Sequence, residues 1–199
     1  VAILAVICAA TLVAPHQVAA QQAVRASQAV VDRTANIRGL DIHYRESGPS
    51  NGPVVLLLHG FPSSSHMFRD LIPQLSDKYH VIAPDYPGFG YSAQPALTAF
   101  DYSFDALATI IDEFTQKVGA TNYVLYMQDF GGPVGFRLAI KHPERIKGLI
   151  IQNATIHGEG WNPDVVKQFA PFWKARDAET EKPIWAFLKP ETTKWQYVQ

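Results

Sequence analysis

Four short apolar runs, each followed by a loop rich in small or turn-forming residues, constrain the fold of this chain more than any other feature. They are Pro53–Leu58 (PVVLLL), Tyr79–Ala83 (YHVIA), Asn122–Met127 (NYVLYM) and Gly148–Gln152 (GLIIQ). Runs this short and this continuous suit strands covered on both faces. Helical patterns lie between them. Ser103 is a cap for a helix over Phe104–Val118, whose Phe104, Leu107, Ile111, Phe114 and Val118 share one face. Ser65 is a cap for a helix over His66–Leu75, and Pro133–Lys141 reads as a helix stopped by His142-Pro143. Strands alternating with helices imply βαβ units with right-handed crossovers. The expected fold class is therefore α/β, a mostly parallel sheet flanked by helices, with ligands bound outside the carboxyl ends of the strands. Upstream, Val30–Asn36 and Leu40–Glu46 predict a hairpin turning at Arg38-Gly39.

Composition narrows the function classes. The chain has 199 residues, 47% of them hydrophobic, and a net charge of -1, so it is neither disordered nor a general nucleic-acid binder. A single cysteine, Cys8, excludes an intrachain disulfide and a cysteine-based zinc site. The seven histidines include no pair at His-x-x-x-His spacing, so no metal is expected.

The ends differ from the middle. Val1–Val13 is apolar and uncharged, and Val18-Ala19-Ala20 follows it. This is the pattern of a secretory signal peptide lacking its basic start, with cleavage after Ala20. Thirteen apolar residues are too few for a bilayer span, which takes about 20. Secretion or export to a periplasm is the expected localisation. The reading divides the chain into a partial leader (1–20), a core (30–155) and a helical, Trp-rich segment (156–199) that reads as the start of a lid. Trp161, Trp173, Trp185 and Trp195 fall in that segment. At least two of them are expected to pack as core, and Trp161, Trp173 and Tyr197 are candidate substrate contacts. The chain stops at Gln199 without a helix stop or turn residue, and is expected to be cut inside an element.

Tyr123–Ala139 (YVLYMQDFGGPVGFRLA) runs from a strand through Gln128-Asp129-Phe130-Gly131-Gly132 straight into a helix. A side chain on such a turn is lifted clear of the sheet beside a helix start, the geometry of a nucleophile elbow. Gly131 and Gly132 allow the tight bend. By local residues alone, Asp129 is either a nucleophile in the place often held by Ser or a plain helix N-cap. Two other segments weigh on the choice: Leu58-His59-Gly60-Phe61-Pro62 after the first buried strand, and Asp85-Tyr86-Pro87-Gly88-Phe89-Gly90-Tyr91-Ser92 after the second.

Together these three segments resemble the α/β-hydrolase superfamily, on its epoxide hydrolase and haloalkane dehalogenase branch, over about Asn36 to His157. The resemblance implies Asp129 as nucleophile, with the backbone N–H groups of Phe61 and Phe130 as an oxyanion hole. An aspartate side chain is a carboxylate at neutral pH. It can displace a leaving group from carbon to form an alkyl-enzyme ester, which a His-activated water then cleaves. In this fold the order is nucleophile, acid, His, which puts the last two beyond Gln199 and leaves this chain able at most to attack once. Asn153 stands where some dehalogenases carry the acid, but an amide cannot act as one.

Within the branch the signs conflict. Phe130 replaces a typical dehalogenase Trp and has no donor. His-Gly-Phe-Pro is more like epoxide hydrolases and fluoroacetate dehalogenases, whereas Gln128 is more dehalogenase-like. The reading favours an epoxide hydrolase-like enzyme, with a haloalkane or haloacid dehalogenase as alternative. A non-catalytic ligand-binding protein of this fold is the alternative of another class. The resemblance implies no cofactor, a small-molecule substrate, no nucleic acid and no membrane in the mature form, and leaves oligomeric state open. His59 is expected to hold oxyanion-loop backbone. His66, His80, His142 and Glu144-Arg145 are expected at the surface or at helix termini.

Overall fold

The computed structural model describes residues 29–198. The expected leader, residues 1–20, lies outside the described residues. The chain divides into two compact units, the first ending at Ala154 and the second running over Thr155–Gln199.

The first unit is built on a six-stranded sheet. Its strands are β1 (Val31–Ile37), β2 (Leu40–Ser47), β3 (Val54–Leu58), β4 (His80–Pro84), β5 (Tyr123–Gln128) and β6 (Ile146–Gln152), in the order β1-β2-β4-β3-β5-β6. β1, β2 and β4 pair antiparallel; β4, β3, β5 and β6 pair parallel. The hairpin turns on Arg38 (φ 51°) and Gly39 (φ 83°), the two left-handed residues that suit a two-residue loop between twisted strands. β3 follows β2 in sequence but lies beyond β4, so the chain reverses its direction of winding around β3. That puts a topological switch point at the carboxyl ends of β3 and β5.

Alternation across the central strands explains their unbroken apolarity. Leu56, Leu58, Ile82, Leu125 and Met127 form one face. They pack with Leu107, Ile111 and Phe114 of α2 (Phe104–Lys117) and Val134 and Leu138 of α3 (Gly131–Lys141). Val55, Leu57, Val81 and Ala83 form the other face, over Phe68 and Ile72. Each side chain points to one layer, and both layers are dry.

The helix expected over His66–Leu75 is a correction. A 3-10 turn (Ser65–Phe68) precedes α1, which is only Ile72–Leu75. Pro73 supplies no N–H, so an unbroken helix through it would lose a bond. The cap is Ser64, whose hydroxyl accepts from the His66 N–H, while the Ser65 N–H donates to Asp85 Oδ1 at 2.6 Å. By contrast α2 starts on the expected cap, Ser103 accepting from the Ala106 N–H at 3.2 Å. α3 begins at Gly131, two residues before Pro133, because the Pro sits in the first turn where its missing N–H is harmless.

His80, expected at the surface or at a helix terminus, is buried instead, with Nε2 at 2.6 Å from Glu46 Oε1. Arg145 is half-buried on the expected turn. Arg145 donates to Asp112 Oδ1 at 2.9 Å, and Lys141 and His142 reach Oδ2 at 2.8 and 3.1 Å. Asp112 on α2 thereby ties down the end of α3 and the entry to β6. Burial alone would raise its carboxyl pKa; hydrogen bonds from Lys141 and His142, with the attraction of both charges, outweigh it and hold the group below its usual value. A depressed carboxyl stabilises the fold above its unfolded pKa, and that contribution fades as pH falls through the folded value.

The second unit contains α4 (Pro163–Lys174), α5 (Lys182–Phe187) and α6 (Pro190–Tyr197). None of its described residues is buried. Trp161, Trp173, Trp185 and Trp195 of this unit are between 39% and 65% exposed. Among the described residues, no helix is long and apolar enough to cross a membrane.

Two outcomes follow from the first unit. Asp112→Ala should lower stability by about 2–3 kcal/mol in urea melts, because Lys141, His142 and Arg145 lose their shared buried acceptor, and the gap to wild type should narrow in acid. Among the described residues β6 is the last strand at its side of the sheet, with Leu149, Ile150 and Ile151 between 44% and 50% exposed. An open apolar edge invites association. Ile150→Lys should raise the soluble, monodisperse fraction measured by size-exclusion chromatography.

Candidate active site

β5 ends at Gln128, and the next residue, Asp129, takes φ 50° before α3 begins. That left-handed conformation is uncommon for a residue with a side chain, and Asp is among the few that tolerate it. It swings the carboxylate off the strand axis, above the carboxyl end of the sheet. The Asp129 carbonyl closes the turn by accepting from the Gly132 N–H at 2.9 Å. Glycine at 131 is a steric demand, since a Cβ there would stand 2.4 Å from the Leu58 carbonyl oxygen. β3 and α3 pack too closely for any side chain.

Asp129 is not the helix cap. The cap position belongs to Phe130, which makes no side-chain capping bond. The Asp129 carboxylate turns instead to the loop after β3, where Oδ1 accepts from the Phe61 N–H at 2.7 Å. Register explains the meeting: β3 and β5 pair directly, Leu58 opposite Met127. The two loops therefore leave the sheet side by side. A Cβ at Gly60 would stand 2.4 Å from Gln128 Oε1, 2.4 Å from Asp129 Cβ and 2.7 Å from Asp129 Oδ1. The Phe130 N–H lies at the helix start, outside the α3 ladder. It is Phe61, however, whose N–H holds the carboxylate.

The loop carrying Phe61 is braced from below. His59 is completely buried, with Nδ1 2.9 Å from the Gly60 carbonyl oxygen and Nε2 accepting from the Tyr86 N–H at 3.3 Å. The buried Tyr86 hydroxyl donates to the His59 carbonyl at 3.1 Å. Burial lowers the His59 pKa, against smaller raising effects from the Gly60 bond and from Asp85 and Asp129, so the ring is neutral. Asp85 is buried as well. It accepts from the Ser65 N–H, from Tyr91 N–H at 3.0 Å and lies 2.9 Å from His43 Nδ1. One carboxylate thus joins β2 to the loops after β3 and β4. The Asp85–Ser92 run is legible as a motif, but its anchoring role needs the fold.

The wall around Asp129 is aromatic. Phe61 and Phe130 stack at 5.4 Å between ring centroids, Phe89 meets Phe130 edge-on at 6.4 Å, and Phe104 meets it at 5.0 Å. Arg137 lies over the Phe104 ring, and its guanidinium donates to Asp105 at 2.7 Å. Trp161 and Trp173 belong to the second unit, where they meet each other edge-on at 5.8 Å. The Tyr197 side chain lies outside what is described. Among the described residues, no three His, Cys, Asp or Glu side chains cluster to hold a metal ion.

Comparison with known proteins places this geometry. A family model described as alpha/beta hydrolase fold matches residues 53–189. The chain belongs to the α/β hydrolase fold family. An uncharacterized hydrolase of Saccharomyces cerevisiae is 41% identical over 141 residues, 71% of this chain and 48% of that protein. A haloalkane dehalogenase structure from Bradyrhizobium elkani superposes with a TM-score of 0.60 at 32% identity, over 63% of this chain and 42% of its own. Epoxide hydrolase A of Mycobacterium thermoresistibile superposes with a TM-score of 0.56 at 30% identity, over 62% and 39%. The chain spans about half the length of the yeast relative it matches.

Gly60→Ala should push the β3 loop off Asp129. The expected result is a loss of about 1–3 kcal/mol in stability, together with a displaced Phe61 amide resonance in a 1H–15N spectrum.

Proposed function

We propose that this chain carries the nucleophilic half of an α/β-hydrolase site, in which Asp129 attacks an electrophilic carbon of a small apolar substrate. The observation that supports this most is the 2.7 Å bond from the Phe61 N–H to Asp129 Oδ1, made by a residue held at φ 50° and engaged in no cap. The bond divides the labour between the two carboxylate oxygens. Oδ1 rests against the donor, and Oδ2 is the oxygen that attacks. The C–X bond breaks as the Oδ2–C bond forms, and X leaves with the electron pair. When an epoxide is the substrate, X is the ring oxygen, which remains tethered to the product and takes a proton from solvent water. In the second half, attack of water on Asp129 Cγ would put negative charge on Oδ1. The Phe61 N–H is already aimed there, and the Phe130 N–H would be the second donor.

His59 is not the base for that second half, since both its ring nitrogens are committed to backbone partners. Trapping at the ester stage is therefore the expected behaviour of this chain. The apolar rings of Phe61, Phe130 and Phe89 favour a hydrocarbon-bearing electrophile and give a departing halide no N–H. This supports an epoxide as the substrate. Carbon–halogen chemistry is the second reading, supported by Gln128 at the position before Asp129 and by the dehalogenase neighbour. The Val1–Ala20 pattern supports export of the protein, and Trp161 and Trp173 would serve a lid.

Intact-mass measurement after incubation with a terminal alkyl epoxide, and separately with a bromoalkane, tests the reading. One added alkyl group should map to Asp129, and Asp129→Ala should reduce labelling to background. Faster labelling by the epoxide supports the first reading, and faster labelling by the bromoalkane the second. Labelling that persists unchanged in Asp129→Ala overturns both.

A further inference from the structure

We infer that His59 is a positioning residue that sets and polarises the Phe61 oxyanion donor through the peptide bond between Gly60 and Phe61. This rests on the reading of Asp129 given above. The carbonyl oxygen that faces His59 Nδ1 at 2.9 Å and the N–H that faces Asp129 Oδ1 at 2.7 Å belong to the same peptide group. The Tyr86 N–H points at His59 Nε2, so Nε2 must accept. A neutral imidazole that accepts at Nε2 carries its proton on Nδ1. Nδ1 then donates to the Gly60 carbonyl.

The result is a continuous run of donors and acceptors from the Tyr86 N–H through the imidazole and the peptide group to the carboxylate. A hydrogen bond to a peptide oxygen draws electron density from the nitrogen and strengthens the N–H as a donor, by about 10–30% per bond in a protein interior. Ser63 N–H gives the same oxygen a second bond at 3.0 Å. Both lone pairs of the Gly60 carbonyl are thus used on the side away from the site.

The surroundings keep the ring in this state. His59 is fully buried, its ring lies 4.3 Å from that of Tyr86 and 5.3 Å from that of Phe89, and the Tyr86 hydroxyl fixes its carbonyl. A second proton would set an Nε2–H against the Tyr86 N–H with no acceptor between them. The imidazole therefore works as a fixed dipole. It touches neither the substrate nor the reacting atoms, and it acts by aiming the amide that does.

The experiment uses the whole chain and two substitutions. His59→Asn keeps a side-chain N–H near the Nδ1 position, and His59→Leu removes it. Ring 15N shifts of the wild-type protein should show a neutral His59 with Nδ1 protonated. The Phe61 amide proton, shifted downfield in wild type, should move upfield in His59→Leu and return most of the way in His59→Asn. With Asp129 alkylated by a terminal epoxide, hydroxylamine cleavage of the ester should slow about 3- to 10-fold in His59→Leu, and be largely restored in His59→Asn. Leucine that leaves both the amide shift and the cleavage rate unchanged overturns the inference, as does an Nε2-protonated ring. Should His59→Leu fail to fold, the wild-type tautomer and the His59→Asn amide shift still decide it. Absence of any adduct on wild-type Asp129 would count against the nucleophile reading alone, because the ring and amide resonances report the relay independently.

Discussion

The side-by-side pairing of β3 and β5 is the constraint on which the site depends. Parallel strands in direct register end at the same level, so their following loops emerge together. Here that places the Phe61 N–H against the Asp129 carboxylate across 68 residues of sequence. Two close backbone approaches permit it, at Gly60 against Asp129 and at Gly131 against Leu58. Glycine in both places is a packing requirement first. The chemistry is its consequence.

Polar burial in the first unit serves the same end. Asp85, His59 and Asp112 are buried polar side chains, and each engages several partners. Asp85 and His59 use theirs mainly on loop backbone near the sheet's carboxyl ends, where no ladder bond is available. Asp112 uses its carboxylate on side chains at the opposite end of α3. Buried polar groups are costly unless satisfied, and in this fold satisfying them also fixes the loops. The aromatic rings of Phe61, Phe89, Phe104 and Phe130 then close the space beside the carboxylate without adding a donor.

Much of this was legible in the sequence, and the exceptions share a cause. Asp129 was visible because its strand, its turn and its helix are consecutive, so local geometry carries the argument. The loops of Phe61 and Asp85 were visible as motifs. The Phe61 N–H was paired with Asp129 only through the family resemblance, and the partners of Asp85 were not visible, because they lie on β2 and two separate loops. The helix over His66–Leu75 looked continuous from its apolar pattern, yet Pro73 broke it. His80 looked like a surface residue because an ion pair cannot be read from one of its members.

Local sequence therefore determined the strand and helix inventory, the parallel sheet and the residue placed on the elbow. These follow from backbone sterics, hydrophobic periodicity and capping, each of which acts over a few residues. The tertiary structure alone decided which N–H holds the carboxylate, which tautomer His59 adopts, and that Asp129 does not cap its helix. Those outcomes depend on groups brought within hydrogen-bond distance by strand order and register. Hydrogen bonds act over about 3 Å, and no pattern along a single chain encodes that distance between segments so far apart.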